Sequence, residues 1–350
     1  MITGERKKPN VSAALLRWFD AHARDLPWRK TGDPYAIWVS EVMLQQTRVE
    51  TVRAYYPAFL ERFPRASALA AAPAADVMKA WAGLGYYRRA RALHLAAAEV
   101  VERYGGRVPG SAAELRTLSG VGAYTAGAVA SIGFGERVAA VDGNVARVLS
   151  RLFALEEPIG TSRALTKLAP IADALVPADR PGDHNQAMME LGATVCTPRA
   201  PACPVCPLAS DCEARRAGRQ NDLPIVIKKR PARVVKMTAV IATGAASGDA
   251  VLLARRPYEG LFGGMWEPPM AEGRGAAVKK ALAASGLAIG AKVGVVRHVL
   301  THRVLDVAVM QGRAGASLRA IPPYEELAWG GLRGERALST LARKILELSP

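Results

Sequence analysis

The chain has little cysteine. Of its 350 residues only Cys196, Cys203, Cys206 and Cys212 are cysteines, all within one short stretch. That distribution excludes a fold stapled throughout by disulfides, and in a reducing compartment such clustering speaks for a metal. Negative charge is also scarce: 31 Asp and Glu stand against 47 Lys and Arg, a formal net charge of +16 with a pI near 10.0. A polyanionic partner follows most simply, because basic surfaces attract phosphate backbones whatever the base sequence. Charge alone leaves open a soluble basic protein with no such partner. Long apolar runs are missing too. Residues 1–10 are polar and basic, with no apolar stretch behind them long enough for a signal peptide or a membrane span. The expected location is the cytoplasm. What is present, 50% hydrophobic and 22% charged residues over a length sufficient for two domains, argues against disorder.

Residues 118–145 organise the chain. Leu118-Ser119-Gly120-Val121-Gly122-Ala123-Tyr124-Thr125-Ala126 leads into a short apolar helix and then Val141-Asp142-Gly143-Asn144-Val145. Gly120 and Gly122 fall where one predicted helix ends and the next begins, so the backbone can turn tightly and leave the first amides of the second helix unpaired. Such a terminus suits a phosphate. A plain packing corner between helices would also show Gly-x-Gly. Asp142 precedes Gly143 and Asn144 at the N-cap of a further helix. A backbone-held phosphate and a nearby lone acid suggest chemistry on a nucleic acid.

Upstream, residues 11–23 carry Leu15, Leu16, Trp18 and Phe19 at helical spacing. Asp33-Pro34 then caps and opens a helix containing Glu41, a lone acid near Trp38, Val42 and Leu44. Burial there would keep the acid protonated near neutrality, as a proton donor requires. An exposed Glu on a polar stripe is the plain alternative. Residues 51–104 read as alanine-rich helices punctuated by Pro64, Pro73 and Gly83. Within them Tyr86 and Tyr87 adjoin Arg88, Arg89 and Arg91, a combination able to wedge a base step and grip phosphates. Tyr86 is the wedge candidate, or else a core tyrosine. His22 and His94 read as packed or surface residues.

Downstream, residues 145–195 read as three helices with breaks near 158–161 and 177–182, and the motif from His184 to Gly192 caps the helix that leads to Cys196. The cysteines follow the spacing Cys-x6-Cys-x2-Cys-x5-Cys, with Pro201, Pro204 and Pro207 bending the chain so that the sulfurs can converge. Zinc and an iron-sulfur cluster both accept four thiolates. A metal held there is expected to fix a basic loop, with Arg199 and Arg215 or Arg216, against a polyanion such as DNA. Between 213 and 236 stand eight basic residues (Arg215, Arg216, Arg219, Lys228, Lys229, Arg230, Arg233, Lys236) and two acidic ones, the composition of a linker facing DNA. Beyond it the pattern changes to period two around Val240, 251–253, 293–299 and 304–309, with helices near 275–284 and 336–348. These elements predict a separate α+β domain.

The glycine turn and its following Asp resemble the helix-hairpin-helix of the endonuclease III superfamily of DNA glycosylases, and within it the MutY adenine glycosylases, over nearly the whole chain. Gly-x-Gly alone would be weak; its companions decide. Ser40-Glu41-Val42-Met43-Leu44-Gln45-Gln46-Thr47 is similar, residue by residue, to the family segment whose Glu is the general acid. Gly83-Leu84-Gly85-Tyr86-Tyr87 matches another family segment, and the cysteine spacing looks like the family's 4Fe-4S loop. Gly260-Leu261-Phe262-Gly263-Gly264-Met265-Trp266-Glu267-Pro268-Pro269 resembles the family's Nudix-like C-terminal domain, without the acidic box that would hold magnesium. That domain is expected to read damage rather than to hydrolyse.

The resemblance implies a multidomain fold: an all-α helix-hairpin-helix glycosylase core with a 4Fe-4S loop, plus an α+β Nudix-like C-terminal domain. The expected divisions are a cluster domain of 1–30 and 140–213, a six-helix domain of 31–139, a basic linker of 214–236 and a lesion-recognition domain of 237–350. Glu41 is implied as general acid, Asp142 as stabiliser of an oxocarbenium-like sugar, and Tyr124 and Asn144 as the residues positioning Asp142 and the sugar. Gln46 enters the base stack and Tyr86 wedges it, while Arg29, Arg88, Gly120, Gly122 and Thr125 contact DNA. Cys196, Cys203, Cys206 and Cys212 hold the 4Fe-4S cluster. The lesion-reading Phe-Ser-His falls on Leu300-Thr301-His302, where Thr can donate in place of Ser and Leu lacks the aromatic face. Bifunctional lyases hold a lysine nucleophile where Tyr124 stands, so a monofunctional enzyme is expected. Its implied substrate is double-stranded DNA with adenine opposite 8-oxoguanine or guanine, bound by a monomer at the nucleoid of a bacterial cytoplasm. A bifunctional endonuclease III-type glycosylase/lyase would need Lys at 124 and lack the C-terminal domain. A non-enzymatic damage-binding protein gives no reason for Glu41 and Asp142 together.

Overall fold

The computed structural model describes residues 11–227, 231–244, 250–331 and 336–349. The basic N-terminal ten residues and Lys228, Lys229 and Arg230 of the expected linker lie outside the described residues. The chain divides into two compact units, residues 1–70 with 95–228 and residues 71–94 with 229–350.

Helices come first: α1 (Val11–His22), α2 (Pro34–Leu44), α3 (Val49–Arg62), α4 (Ala66–Ala71), α5 (Ala74–Trp81), α6 (Arg88–Tyr104), α7 (Ala112–Leu115), α8 (Ala123–Phe134), α9 (Gly143–Leu152), α10 (Ser162–Leu175), α11 (Pro181–Thr194) and α12 (Glu213–Arg216). No helix among the described residues is long and apolar enough to cross a membrane. Their ends follow local chemistry. Asp33 accepts a hydrogen bond from the Tyr35 amide at 3.0 Å and Pro34 opens α2, a capped start with its φ already set. Both α2 and α8 are apolar nearly all round and are buried on almost every face, so they form the centre of the first unit. Helix α11 opens at Pro181, three residues before the His184 motif that was expected to cap it, because the proline supplies the first turn.

Close approaches position these helices. A Cβ on Gly127 of α8 would lie 2.4 Å from the Ala139 carbonyl oxygen, and one on Gly182 of α11 would lie 2.7 Å from the Ile132 Cα. The segment before Asp142 and helix α11 can therefore lie directly on α8. Around α1, α9, α10 and α11 a core of Leu15, Phe19, Val148, Leu149, Leu168, Met188 and Leu191 forms, and Cys196, Cys206 and Cys212 pack against its edge.

The second unit is built on a seven-stranded mixed sheet of β1 (Arg233–Thr243), β2 (Val251–Arg255), β3 (Trp266–Glu267), β4 (Met270–Glu272), β5 (Leu287–Val299), β6 (Arg303–Ala314) and β7 (Glu326–Gly330). The order is β3-β2-β1-β6-β5, with β4 added to β1 and β7 to β2. Strands β1 and β6 run parallel in register from Arg233↔Arg303 to Thr243↔Arg313. Strands β5 and β6 form an antiparallel hairpin closed by the Leu300 amide on the Arg303 carbonyl at 2.8 Å. Helices α13 (Ala276–Ala283) and α14 (Thr340–Leu346) complete the α+β unit, over a core that includes Val240, Leu252, Leu282, Leu287 and Met310.

Residues 71–94 group with this sheet, whereas the sequence reading placed them in the six-helix domain. Side-chain contacts give the reason. Tyr87 meets Phe262 edge-on at 6.5 Å, Phe262 meets His298 at 6.0 Å, and Arg91 Nη1 donates to the Gly263 carbonyl at 2.8 Å. Arg91 was expected to face phosphates; here its guanidinium binds the protein's own backbone.

Candidate active site

Glu41 lies in the last turns of α2 and is only 5% exposed. Its Oε2 accepts a hydrogen bond from the Tyr124 hydroxyl at the start of α8, and the same hydroxyl lies 3.2 Å from the Met189 Sδ of α11. Burial lifts the Glu41 pKa from 4.5 to about 7; the Tyr124 hydrogen bond opposes the rise, the Asp142 charge adds to it and Arg29 reduces it. Tyr124 is pushed well above the ordinary phenol value by burial, then by the charges of Glu41 and Asp142. It therefore stays a neutral O–H donor.

Asp142 caps α9. Its Oδ1 accepts from the Val145 amide at 2.7 Å and its Oδ2 from Asn144 Nδ2 at 2.9 Å. Burial raises its pKa while these N–H donors pull it back toward the charged form. The two carboxyl groups are thus treated differently: Glu41 has one hydroxyl partner in an apolar wall, and Asp142 has a helix end and an amide. Both act on Tyr124 and Asp142 acts on Glu41, so residues 101 positions apart in sequence share one low-dielectric site. Asn144 is fixed in turn by Arg147, whose Nη2 donates to Asn144 Oδ1 and to the Gly192 carbonyl, each at 2.8 Å. Arg147 Nε donates to the Cys196 carbonyl at 2.8 Å.

The other expected site residues separate into two groups. Gly120 takes φ 73°, which favours glycine, in the turn before α8, and no side chain caps that helix at Gly122. The Ser119 amide donates to Glu99 of α6 at 2.7 Å, pinning the turn. Gln46 and Tyr86 are exposed, and both have left-handed backbones, with φ 58° and 45°. Arg88 is exposed. At the β5–β6 turn Leu300 is half-buried, Thr301 and His302 are exposed, and Thr301 Oγ1 lies 3.0 Å from the Tyr86 hydroxyl.

Arg29 and Thr125 differ from expectation. The Arg29 side chain is 15% exposed and its Nη2 binds Glu190 at 2.8 Å, because that carboxylate, 1% exposed on α11, needs cationic partners. Arg24 supplies the second, at 2.6 and 2.8 Å. Thr125 is 1% exposed and accepts from Gln45 Nε2 at 3.0 Å, because it sits on the face of α8 turned into the core. Sequence reasoning passed over Glu190, Arg147 and Met189. The signal was Glu190 itself, an acid inside a helix otherwise suited to burial.

The four cysteines line one cavity with Arg151, Pro201, Arg215 and Gln220. Among the described residues no three His, Cys, Asp or Glu side chains stand as ligands of one metal ion; the thiols surround a space. Burial pushes Cys206 up to about 11 and raises Cys212, and neighbouring cysteines add to both. The buried Arg151 donates to Cys196 Sγ at 3.3 Å and to the Thr197 carbonyl at 2.7 Å. Four soft donors around a cavity, beside a fixed cation, fit a thiolate-bound metal group. Arg215 and Arg216, expected at DNA, are exposed but also bond the Ala209 and Ser210 carbonyls and Glu213.

Comparison with known proteins agrees with this architecture. A family model described as HhH-GPD superfamily base excision DNA repair protein matches residues 39–171, and one described as NUDIX domain matches 239–348. The human adenine DNA glycosylase is 41% identical over 307 residues, covering 73% of this chain and 56% of the human protein. The chain thus matches a little over half the length of that relative. The Rattus norvegicus adenine DNA glycosylase is 37% identical, covering 95% of this chain and 77% of its own length, and that of Mycolicibacterium smegmatis is 48% identical, covering 58% and 69%. Among solved structures, a thermostable thymine-DNA glycosylase superposes with a TM-score of 0.55 at 31% identity over 59% of this chain and 95% of its own. A non-covalent endonuclease III–DNA complex gives 0.51 at 25% identity over 59% and 94%.

Proposed function

Starting from the fact that this chain belongs to the adenine DNA glycosylase family, we propose that it excises adenine paired with 8-oxoguanine or guanine, hydrolysing the N-glycosidic bond and leaving an abasic site. The observation that carries this reading is Glu41, buried on the Tyr124 hydroxyl, with a pKa of about 7 and within the field of Asp142. A carboxyl group half-protonated near neutrality is matched to donating a proton and recovering it.

In the proposed reaction the adenine leaves the base stack, the unstacking being offset by phosphate contacts at the 118–122 turn and by Tyr86 and Gln46 entering the duplex. Glu41 protonates the imidazole-ring nitrogen of adenine. The glycosidic bond then breaks, its electrons leaving with the neutral base, and positive charge develops on the sugar. Asp142, oriented by Val145 and Asn144, stabilises that charge until water adds and loses a proton. Tyr124 keeps the Glu41 carboxyl aimed. It has no amine to attack the sugar, so the reading is of a monofunctional enzyme. Thr301 offers a hydroxyl to the opposite base, and Leu300 contributes apolar contact without an aromatic face.

Cys196, Cys203, Cys206 and Cys212 are the residues that would hold the 4Fe-4S cluster expected of the family. When bound, the cluster would supply thiolate cross-links that hold the 196–212 loop and its arginines.

Duplex oligonucleotides carrying adenine opposite 8-oxoguanine, guanine, cytosine or thymine test the reading under single-turnover conditions. The expected result is adenine release, fastest opposite 8-oxoguanine, with the strand intact until alkali is added. Pyrimidine release with strand nicking would replace this reading with an endonuclease III-type lyase. Binding without base release would leave a damage-binding protein.

A further inference from the structure

The segment from Gly83 to Tyr86 turns through left-handed backbone, and its strain falls on Tyr86. Gly83, Gly85 and Tyr86 take φ of 111°, 68° and 45°, and Tyr86 bears a large side chain in a region that L residues avoid. Tyr86 is nonetheless 46% exposed, so burial does not hold the conformation. Contacts from behind do. Trp81 Nε1 donates to the Gly85 carbonyl, and Arg89 Nη2 donates to the Leu84 and Gly85 carbonyls, all at 3.2 Å. The Arg89 amide binds the Tyr86 carbonyl at 2.8 Å. The guanidinium itself lies 5.4 Å from the Trp81 ring and 5.5 Å from the Tyr86 ring, within cation–π range of both. At its far end the Tyr86 hydroxyl meets Thr301 Oγ1 at 3.0 Å.

We propose that Arg89 is a positioning residue for the wedge: it fixes the left-handed turn and the ring of Tyr86 before DNA arrives, instead of binding a phosphate. The assignment rests on the glycosylase reading above. Its physical content is preorganisation. A ring already standing out from the surface enters a base step without first having to be ordered, so the cost of strain falls on folding and not on binding. Only a planar cation with several N–H donors can bind two carbonyls and lie against two rings at once, so lysine cannot replace arginine here.

The test compares wild type, Arg89→Met, Arg89→Lys, Tyr86→Ala and the double variant Tyr86→Ala/Arg89→Met in single-turnover adenine excision on two duplexes. Both carry adenine opposite 8-oxoguanine. In the second, a flexible abasic spacer beside the 8-oxoguanine leaves the step already unstacked. The account expects Arg89→Met and Arg89→Lys to slow excision from the intact duplex by about tenfold, a fraction of the cost of opening a base step. On the spacer duplex both should recover to near wild type, and the double variant should be no slower than Tyr86→Ala. Equal slowing on both duplexes, normal rates for the variants, or a double variant slower by the product of its parents would overturn the assignment. Thermal melting of Arg89→Lys, which keeps the charge and the stem, separates local misplacement from loss of fold: a large fall in Tm with equal slowing marks a merely structural arginine. Should wild type release no adenine from either duplex, the functional reading falls and this assignment with it.

Discussion

At the scale of single residues the account depends on two carboxyl groups in unlike surroundings. Glu41 was legible in sequence as a lone acid among apolar neighbours, and its burial follows from the nearly all-apolar surface of α2. Its charge state has a consequence for stability. Because the folded protein holds the Glu41 proton up to about pH 7 while the unfolded chain loses it near 4.5, the native state binds more protons between those values. The contribution is fully present below about pH 4.5 and is lost as pH rises through 7. Glu41→Gln should therefore be more stable than wild type above pH 7, by roughly 3 kcal/mol at most. Thermal melts from pH 5 to 8.5 check this; equal melting temperatures across the range would place Glu41 in contact with water. Gln46 and Tyr86, expected to enter the duplex, are exposed, and their left-handed backbones were not legible, since neither residue type favours that conformation. Arg29, Arg89 and Arg91 were misread as facing DNA for a different reason: composition counts cations, and only the fold says which of them meet a carboxylate, a carbonyl or a ring.

Among elements, α2, α8, α9 and α11 act as one frame. The caps at Asp33 and Asp142, the turn at Gly120 and the period-two strands after residue 232 could all be read locally, because each depends on neighbours within a few residues. What could not be read is the tie of α11 to the rest, which joins distant segments: Glu190 to Arg24 and Arg29, Gly192 to Asn144, and Arg147 to Cys196. Gly192 gives the sharpest test. A Cβ there would lie 2.6 Å from the Asn144 Cβ and 3.1 Å from the Asn144 backbone carbonyl atoms, so one of them must move. Gly192→Ala should cost about 1–3 kcal/mol of stability. It should also slow excision, since Asn144 orients Asp142. Denaturant melts and single-turnover rates measure both, and an unchanged rate would show that Asn144 does not need its present place.

For the whole molecule, the two-part organisation was visible in the change from helical to alternating pattern, yet the assignment of 71–94 to the sheet-bearing unit was not, because it is made by Arg91, Tyr87 and Phe262 across a long sequence separation. The four-cysteine loop is the other global feature. Its thiols share a cavity packed on the same core that carries α9. The purified protein is expected to be brown, with iron and sulfide in equal amounts and broad visible absorption. Stripping the metal should lower Tm and weaken DNA binding together, while a colourless protein holding zinc would remove the cluster from this account.

The most direct measurement is the pH dependence of single-turnover adenine excision from a duplex with adenine opposite 8-oxoguanine, in wild type, Glu41→Gln and Asp142→Asn. With Glu41 as the proton donor, the wild-type rate should fall above a midpoint near pH 7, by about tenfold per unit further on. Both variants should be slower by roughly a thousandfold or more, each having lost one partner of the same bond-breaking step. A wild-type rate level from pH 6 to 9, or near-normal excision by either variant, would contradict the pairing of Glu41 with Asp142.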